Sequence, residues 1–173
     1  MGRPEEFLLV DGYNIVNSWP QLREISKECL EESRDLLIDI LQDYQGYVGI
    51  NVIVVFDAHL LVGGIERHEY FGEIEVVYTK EGETADQYIE RWVNDMGKDH
   101  RIRVASSDFV EQTIILSRGG TRISARELYM EVEMVAQRRN EKHIYKKKLD
   151  SNHLSDNLSP EVFEVLERMR RQT

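Results

Sequence analysis

Short, continuous apolar runs that stop at or near an aspartate constrain this chain more than any other feature. Phe7-Leu8-Leu9-Val10 ends at Asp11, Val52-Ile53-Val54-Val55-Phe56 ends at Asp57, and Val104-Ala105 leads through Ser106-Ser107 to Asp108. Asp86 follows shortly after Val76-Val77-Tyr78. Apolar runs without polar alternation read as strands buried on both faces, the pattern of parallel sheets. Segments with helical spacing separate them, so the chain reads as an α/β fold with a mainly parallel sheet flanked by helices. In open sheets of this kind the active crevice lies beyond the carboxyl ends of the strands. The four acids would therefore meet along one edge. Crowded carboxylates raise one another's pKa unless a cation neutralises them, so that edge implies a site for a hard divalent metal.

The elements can be placed more closely. Strand one covers 7–11 and leads into an irregular Gly12-Tyr13-Asn14 turn. A helix over 29–46 is expected from Leu30, Leu37, Ile40, Leu41 and Tyr44 at near-helical spacing, with Gly46 and Gly49 closing it. Strand two covers 51–56, a loop carries Gly63-Gly64, and strand three covers 74–79, preceded by a pairing segment at 67–71. Thr84-Ala85-Asp86-Gln87 matches a capping box, which puts Asp86 in a first helical turn. Strand four covers 102–106, and Ser107 or Asp108 caps a helix to about Ser117. The segment 121–123 reads as a last short strand. Ser124-Ala125-Arg126-Glu127 is a second capping box, opening a long helix with Leu128, Val132 and Val135 on one face. The domain reading is 1–148 as one α/β domain including a basic C-terminal helix, 149–158 as a linker, and 159–173 as a final helix started by Ser159-Pro160.

A chain of 173 residues, 41% of them hydrophobic, can bury one sizeable core. No apolar stretch approaches the roughly 20 residues of a membrane span, and the N-terminus lacks a secretory signal pattern. A soluble, cytoplasmic protein with no membrane role is expected. Cys29 is the single cysteine, which excludes an internal disulfide and a cysteine-based zinc site, and it reads as a small packing residue. The net charge of -10 argues against coating nucleic acid by charge alone. The charge is uneven: residues 1–100 hold 8 Lys and Arg against 21 Asp and Glu, whereas residues 101–173 hold 14 against 11. The basic C-terminal part offers Arg138, Arg139, Lys142, Lys146, Lys147 and Lys148, with Tyr145 for base stacking, and Arg118, Arg122 and Arg126 form a second patch.

Each acid also has a structural role open to it. Asp11-Gly12 could form a hairpin turn, but the long helical segment after it argues otherwise, and Asp11 could simply cap a following helix. Asn14 could steady a carboxylate or a phosphate. Asp57 suits direct ligation or support equally. Asp86 and Asp108 are favoured at helix starts in any case, and the hydroxyl of Ser107 suits capping or a hydrogen bond to a phosphate. Taken jointly, several oxygen ligands on one edge fit phosphoryl chemistry with Mg²⁺ or Mn²⁺.

The blocks Leu8-Leu9-Val10-Asp11-Gly12-Tyr13-Asn14, Val54-Val55-Phe56-Asp57-Ala58-His59, Thr79 to Asp86, and Val104-Ala105-Ser106-Ser107-Asp108, in this order, resemble the YacP-like branch of the NYN domain family, relatives of the PIN nucleases. The resemblance runs from about residue 7 to residue 140. It implies a PIN-like three-layer α/β/α sandwich and metal-dependent endonucleolytic cleavage of RNA. It maps the acidic catalytic and metal site onto Asp11, Asp86 and Asp108, with Asp57 as a supporting member. Gln87 stands where a further acid would suit a second metal. A net-acidic nuclease binds free RNA weakly at physiological salt, which points to mRNA presented by a partner such as the ribosome.

Other readings are weaker. An aspartyl phosphatase places a second acid two residues after its nucleophile, where this chain has Tyr13, and a phospho-receiver domain wants an acidic pair after strand one. The serious alternative is a non-catalytic RNA- or ribosome-binding module with the same fold. His59, His68, His100, His143 and His153 sit among polar neighbours and read as surface residues.

Overall fold

The structure, a computed structural model, describes residues 4–58, 64–107 and 120–156, with side chains through residue 147. The chain divides into two units, Met1–Val135 and Ala136–Thr173. In chain order the described elements are β1 (Glu6–Asp11), α1 (Gly12–Ser18), α2 (Pro20–Glu28), α3 (Leu30–Val48), β2 (Asn51–Phe56), β3 (Arg67–Phe71), β4 (Ile74–Tyr78), α4 (Ala85–Met96), β5 (Arg101–Ala105), β6 (Thr121–Ile123) and α5 (Ala125–Asp156). The helix α5 begins in the first unit and supplies the described part of the second.

The six strands form one sheet in the order β3-β4-β2-β1-β5-β6, with every neighbouring pair parallel except β3 and β4. The period of two along each strand explains why the apolar runs are continuous. Leu8, Val10, Val52, Val54, Phe56, Ile74 and Val76 point into one core with α1, α2, α3 and the start of α5. Leu9, Ile53, Val55, Val77, Ile102 and Val104 point into a second core under Ala85, Tyr88, Ile89 and Val93 of α4. The result is the expected three-layer α/β/α arrangement.

Chain order reverses at β1. The helices α1 to α3 connect β1 to β2 on one side, and α4 then carries the chain back past β1 to β5 on the other. Right-handed crossovers running in opposite directions put their helices on opposite faces. The carboxyl end of β1 is therefore the switch point, where such sheets open a crevice.

Several local expectations need correction. Gly12-Tyr13-Asn14 is the first turn of α1, with Asp11 as its N-cap. Pro20 opens α2, a helix not anticipated from the sequence although Pro at N1 is a start signal. Cys29 is exposed in an extended conformation between α2 and α3, so it is not a packing residue. Gly46 lies within α3, and Gly49 ends it in the left-handed region at φ 76°. The helix α5 continues to Asp156, across most of the expected linker. No Gly or Pro interrupts residues 136–156, and Asp, Ser and Asn cost a helix only tenths of a kcal/mol each, roughly 0.5. The helix expected from Ser107 or Asp108 to about Ser117 and the one over 159–173 lie outside the described residues.

Both capping boxes are present. Thr84 accepts from the Gln87 backbone while the Gln87 side chain accepts from Thr84 N–H, and Ser124 and Glu127 repeat the exchange. At the other end of the core, the Trp19 indole N–H donates to the Ala125 carbonyl at 2.8 Å, buried, fixing the start of α5 against α1.

Candidate active site

Asp11 ends β1 buried, only 9% exposed, and its Oδ1 accepts the backbone N–H of Asn14 at 3.2 Å. The capping role is therefore real, and it fixes the carboxylate at the switch point. Burial raises the Asp11 pKa to about 7, against the lowering effect of the Asn14 N–H. Hydrogen bonding to the Asp86 carboxyl and the charges of Asp86 and Asp57 are smaller contributions to the same rise. Asp11 and Asp86, 75 residues apart in sequence, thus meet at one edge.

Asp86 owes its place to the start of α4, which several bonds hold. Asp57 Oδ1 accepts the N–H of Ala85, so the acid at the end of β2 anchors the helix that carries Asp86. Thr79, fully buried, accepts the Ala58 N–H at 3.2 Å and donates to the Glu83 carbonyl at 2.6 Å. Arg91 grips Glu83 and Glu66 at 3.0 Å each, closing the segment from outside.

On the β5 side, Asn14 Oδ1 accepts the Ser107 N–H at 2.7 Å, and Ser107 Oγ lies 3.2 Å from Ser18 Oγ. Asn14 therefore serves Asp11 through its backbone, while its amide ties the end of β5 to α1. Asp108 follows directly but lies outside the described residues, as does Arg118. Gly12 is needed for close packing rather than for a hairpin: a Cβ there would collide with the Phe56 ring.

Among the described residues no set of three Asp, Glu, His or Cys side chains is gathered tightly enough to hold a metal by itself. The described edge offers the Asp11–Asp86 pair with Asp57 beside it. A carboxyl held near neutrality by burial and like charge is an oxygen donor that a cation would relieve, and an all-oxygen set suits Mg²⁺ or Mn²⁺.

The family model of the YacP-like NYN domain matches residues 8–171. The chain belongs to the YacP-like NYN domain family. It is 44% identical over 167 residues to YacP of Bacillus subtilis (strain 168), covering 96% of this chain and 97% of that protein. The crystal structure of Rae1 (YacP) from Bacillus subtilis matches with a TM-score of 0.70 at 43% identity, over 95% of this chain and 94% of that one. A crystal structure of a tryptophan-to-leucine mutant of Rae1 matches with the same TM-score over 82% of each chain. NYN domains are nuclease-like and generally metal-dependent, which makes nucleic acid the substrate class of this chain.

The basic residues of this NYN protein are also placed. Arg122 on β6 and Arg126 on α5 are exposed in the first unit. Arg138, Arg139, Lys142, Tyr145, Lys146 and Lys147 are exposed along α5 in the second, while the side chain of Lys148 lies outside the described set. No described helix is long and apolar enough to cross a membrane. Thr79 and Ser18 were not legible in the sequence, since a lone hydroxyl gives no signal until its partners from other loops are known. The anchoring of Ala85 by Asp57 was equally hidden.

Proposed function

We propose that this chain is a metal-dependent endoribonuclease that hydrolyses phosphodiester bonds of mRNA, with the ribosome as the partner that presents the message. The observation carrying this is the meeting of the Asp11 and Asp86 carboxyls at the switch point of an NYN-family sheet.

In this reading Asp11, Asp86 and Asp108 hold one or two Mg²⁺ or Mn²⁺ ions. The bound cation supplies Lewis-acid polarisation of the phosphodiester, acidification of the attacking water and stabilisation of the leaving 3′ oxygen. Asp57 supports the site through Ala85, keeping Asp86 turned towards Asp11. Asn14 and Ser107 tie the end of β5 to α1, beside Asp11. Arg118, Arg122, Arg126, Arg138, Arg139, Lys142, Lys146, Lys147 and Lys148 bind RNA phosphates, and Tyr145 stacks on a base.

The test incubates purified protein with free and translated mRNA in Mg²⁺, Mn²⁺ or chelator. Cleavage of translated mRNA with either metal is expected, with none in chelator and none from folded Asp11→Asn or Asp86→Asn. Parental rates in both variants would overturn the site. Binding without cleavage under every condition would favour the non-catalytic module. Equal rates on naked and translated RNA at matched salt would overturn the ribosomal context.

A further inference from the structure

The acidic first 100 residues contain only 8 Lys and Arg, and two of them gather on one aromatic ring beside the acidic edge. Tyr78 ends β4 and stacks on Phe56, with ring centroids 5.8 Å apart. The Arg67 guanidinium lies 4.6 Å from the Tyr78 centroid and that of Arg34, on α3, lies 5.9 Å from it. Arg34 is also 6.0 Å from the Phe56 centroid, and its Nη1 is 3.5 Å from the Tyr13 hydroxyl. Tyr13 in turn packs its ring 5.0 Å from that of Phe56.

Every aromatic member of this group lies within two residues in sequence of a segment that builds the acid site. Tyr13 follows Asp11 by two residues, Phe56 precedes Asp57, and Tyr78 precedes Thr79, whose hydroxyl bridges the segments carrying Asp57 and Asp86. Arg34 is half-buried, and no carboxylate among the described residues pairs with it. Arg67 uses Nε on Glu69 at 3.0 Å. Cation–π contact and one long hydrogen bond orient the Arg34 fork, and among the described residues most of its five donors meet no other partner. A planar fork with open donors, held by rings instead of by an acid, is suited to a bidentate phosphate.

We propose that Arg34 and Arg67, held on Tyr78, form a phosphate subsite that grips the RNA backbone next to the bond that is cut. The subsite rests on the nuclease reading and deepens it. The acidic edge repels a polyanion, and a guanidinium anchor beside it offsets that repulsion where the strand must pass. The subsite draws on none of the basic residues of α5.

The test is binding of a fluorescently labelled single-stranded oligoribonucleotide to the full chain in chelator, followed by anisotropy across a salt series. Arg34→Met should weaken binding about tenfold and lower the salt slope by about 0.7, while Arg34→Lys should recover part of the affinity. Unchanged affinity and slope in Arg34→Met would overturn the proposal. If that variant does not fold, nuclear magnetic resonance on the unaltered protein decides. The Arg34 Nε–H signal should move on adding the oligonucleotide, and a stationary signal would overturn the subsite. An equal shift with inorganic phosphate at matched phosphate concentration would make it a free-anion site and also overturn it. Binding is read without metal, so a parent that binds through Arg34 yet never cuts RNA would sink the nuclease reading and leave the phosphate subsite standing.

Discussion

Asp57 accepts the backbone N–H of Ala85, so the acid that ends one strand holds the helix that brings a second acid, Asp86, to a third, Asp11. This relationship makes Asp57 a positioning residue. Replacing it with alanine leaves the first turn of α4 short of one charge-assisted bond, a loss of about 1.5–3 kcal/mol. Thermal or urea unfolding of Asp57→Ala should register that loss. Its nuclease activity should fall about 10–100-fold, partly restored by excess Mg²⁺, as expected when support for a metal ligand is removed. Unaltered stability and activity would remove Asp57 from the site.

The raised pKa of Asp11 has a definite sign in stability. The folded protein keeps the Asp11 proton up to about pH 7, whereas the unfolded chain releases it near 3.8. In chelator, stability should therefore fall as pH rises from about 4 to about 7 and level off above, at about 1.4 kcal/mol for each pH unit crossed. Asp11→Asn has no proton to lose there. Its Tm relative to the parent should climb across the same window and stay highest above pH 7. A pH-independent difference between the two melting curves would contradict the raised pKa of Asp11, and with it the burial that chiefly causes it.

Metal should reverse that order. At pH 7.5, millimolar Mg²⁺ or Mn²⁺ should raise the Tm of the parent, because a cation binding only the folded state stabilises it by mass action. The rise should be much smaller in Asp11→Asn and Asp86→Asn. Calorimetric scans with and without metal make the comparison, and equal shifts in all three proteins would count against these ligands.

Gly12 offers a packing test. An alanine Cβ at this position would run into the Phe56 ring, so Gly12→Ala should cost about 1–3 kcal/mol through overpacking. It should also depress activity, since Asp11 precedes it directly. Phe56→Leu in the same chain should return part of the stability. Additive losses in the double variant would show that the two residues do not compete for space.

The exposed cations of α5 should act on RNA affinity alone. Exchanging Arg138, Arg139, Lys146 and Lys147 for glutamine should weaken oligonucleotide binding and flatten its salt dependence by about 0.7 for each phosphate no longer neutralised. Melting temperature should stay within about 1 kcal/mol of the parent in free-energy terms, as for ordinary surface changes. Anisotropy titrations at two salt concentrations suffice to check this.

The sheet, both capping boxes, the positions of Asp11 and Asp57 at strand ends and the family were all legible in the sequence. Those features are local: an unbroken apolar run such as Leu8-Leu9-Val10, a Thr three residues before a Gln, and an aspartate after an apolar run each depend on neighbours within a few residues. Local reading failed where the decisive partner is distant. Gly12-Tyr13-Asn14 reads as a turn until Asp11 is seen capping α1, and the need for Gly12 appears only once Phe56 lies over it. Which acids meet is a property of the folded chain. The strand order reverses at β1, which carries Asp86 from a distant part of the sequence to Asp11, and Thr79 and Asp57 then hold it there. Side-chain identity sets what a residue can bind, but the pKa of Asp11 depends on burial and on charges brought close by crossovers, and those distances exist only after folding.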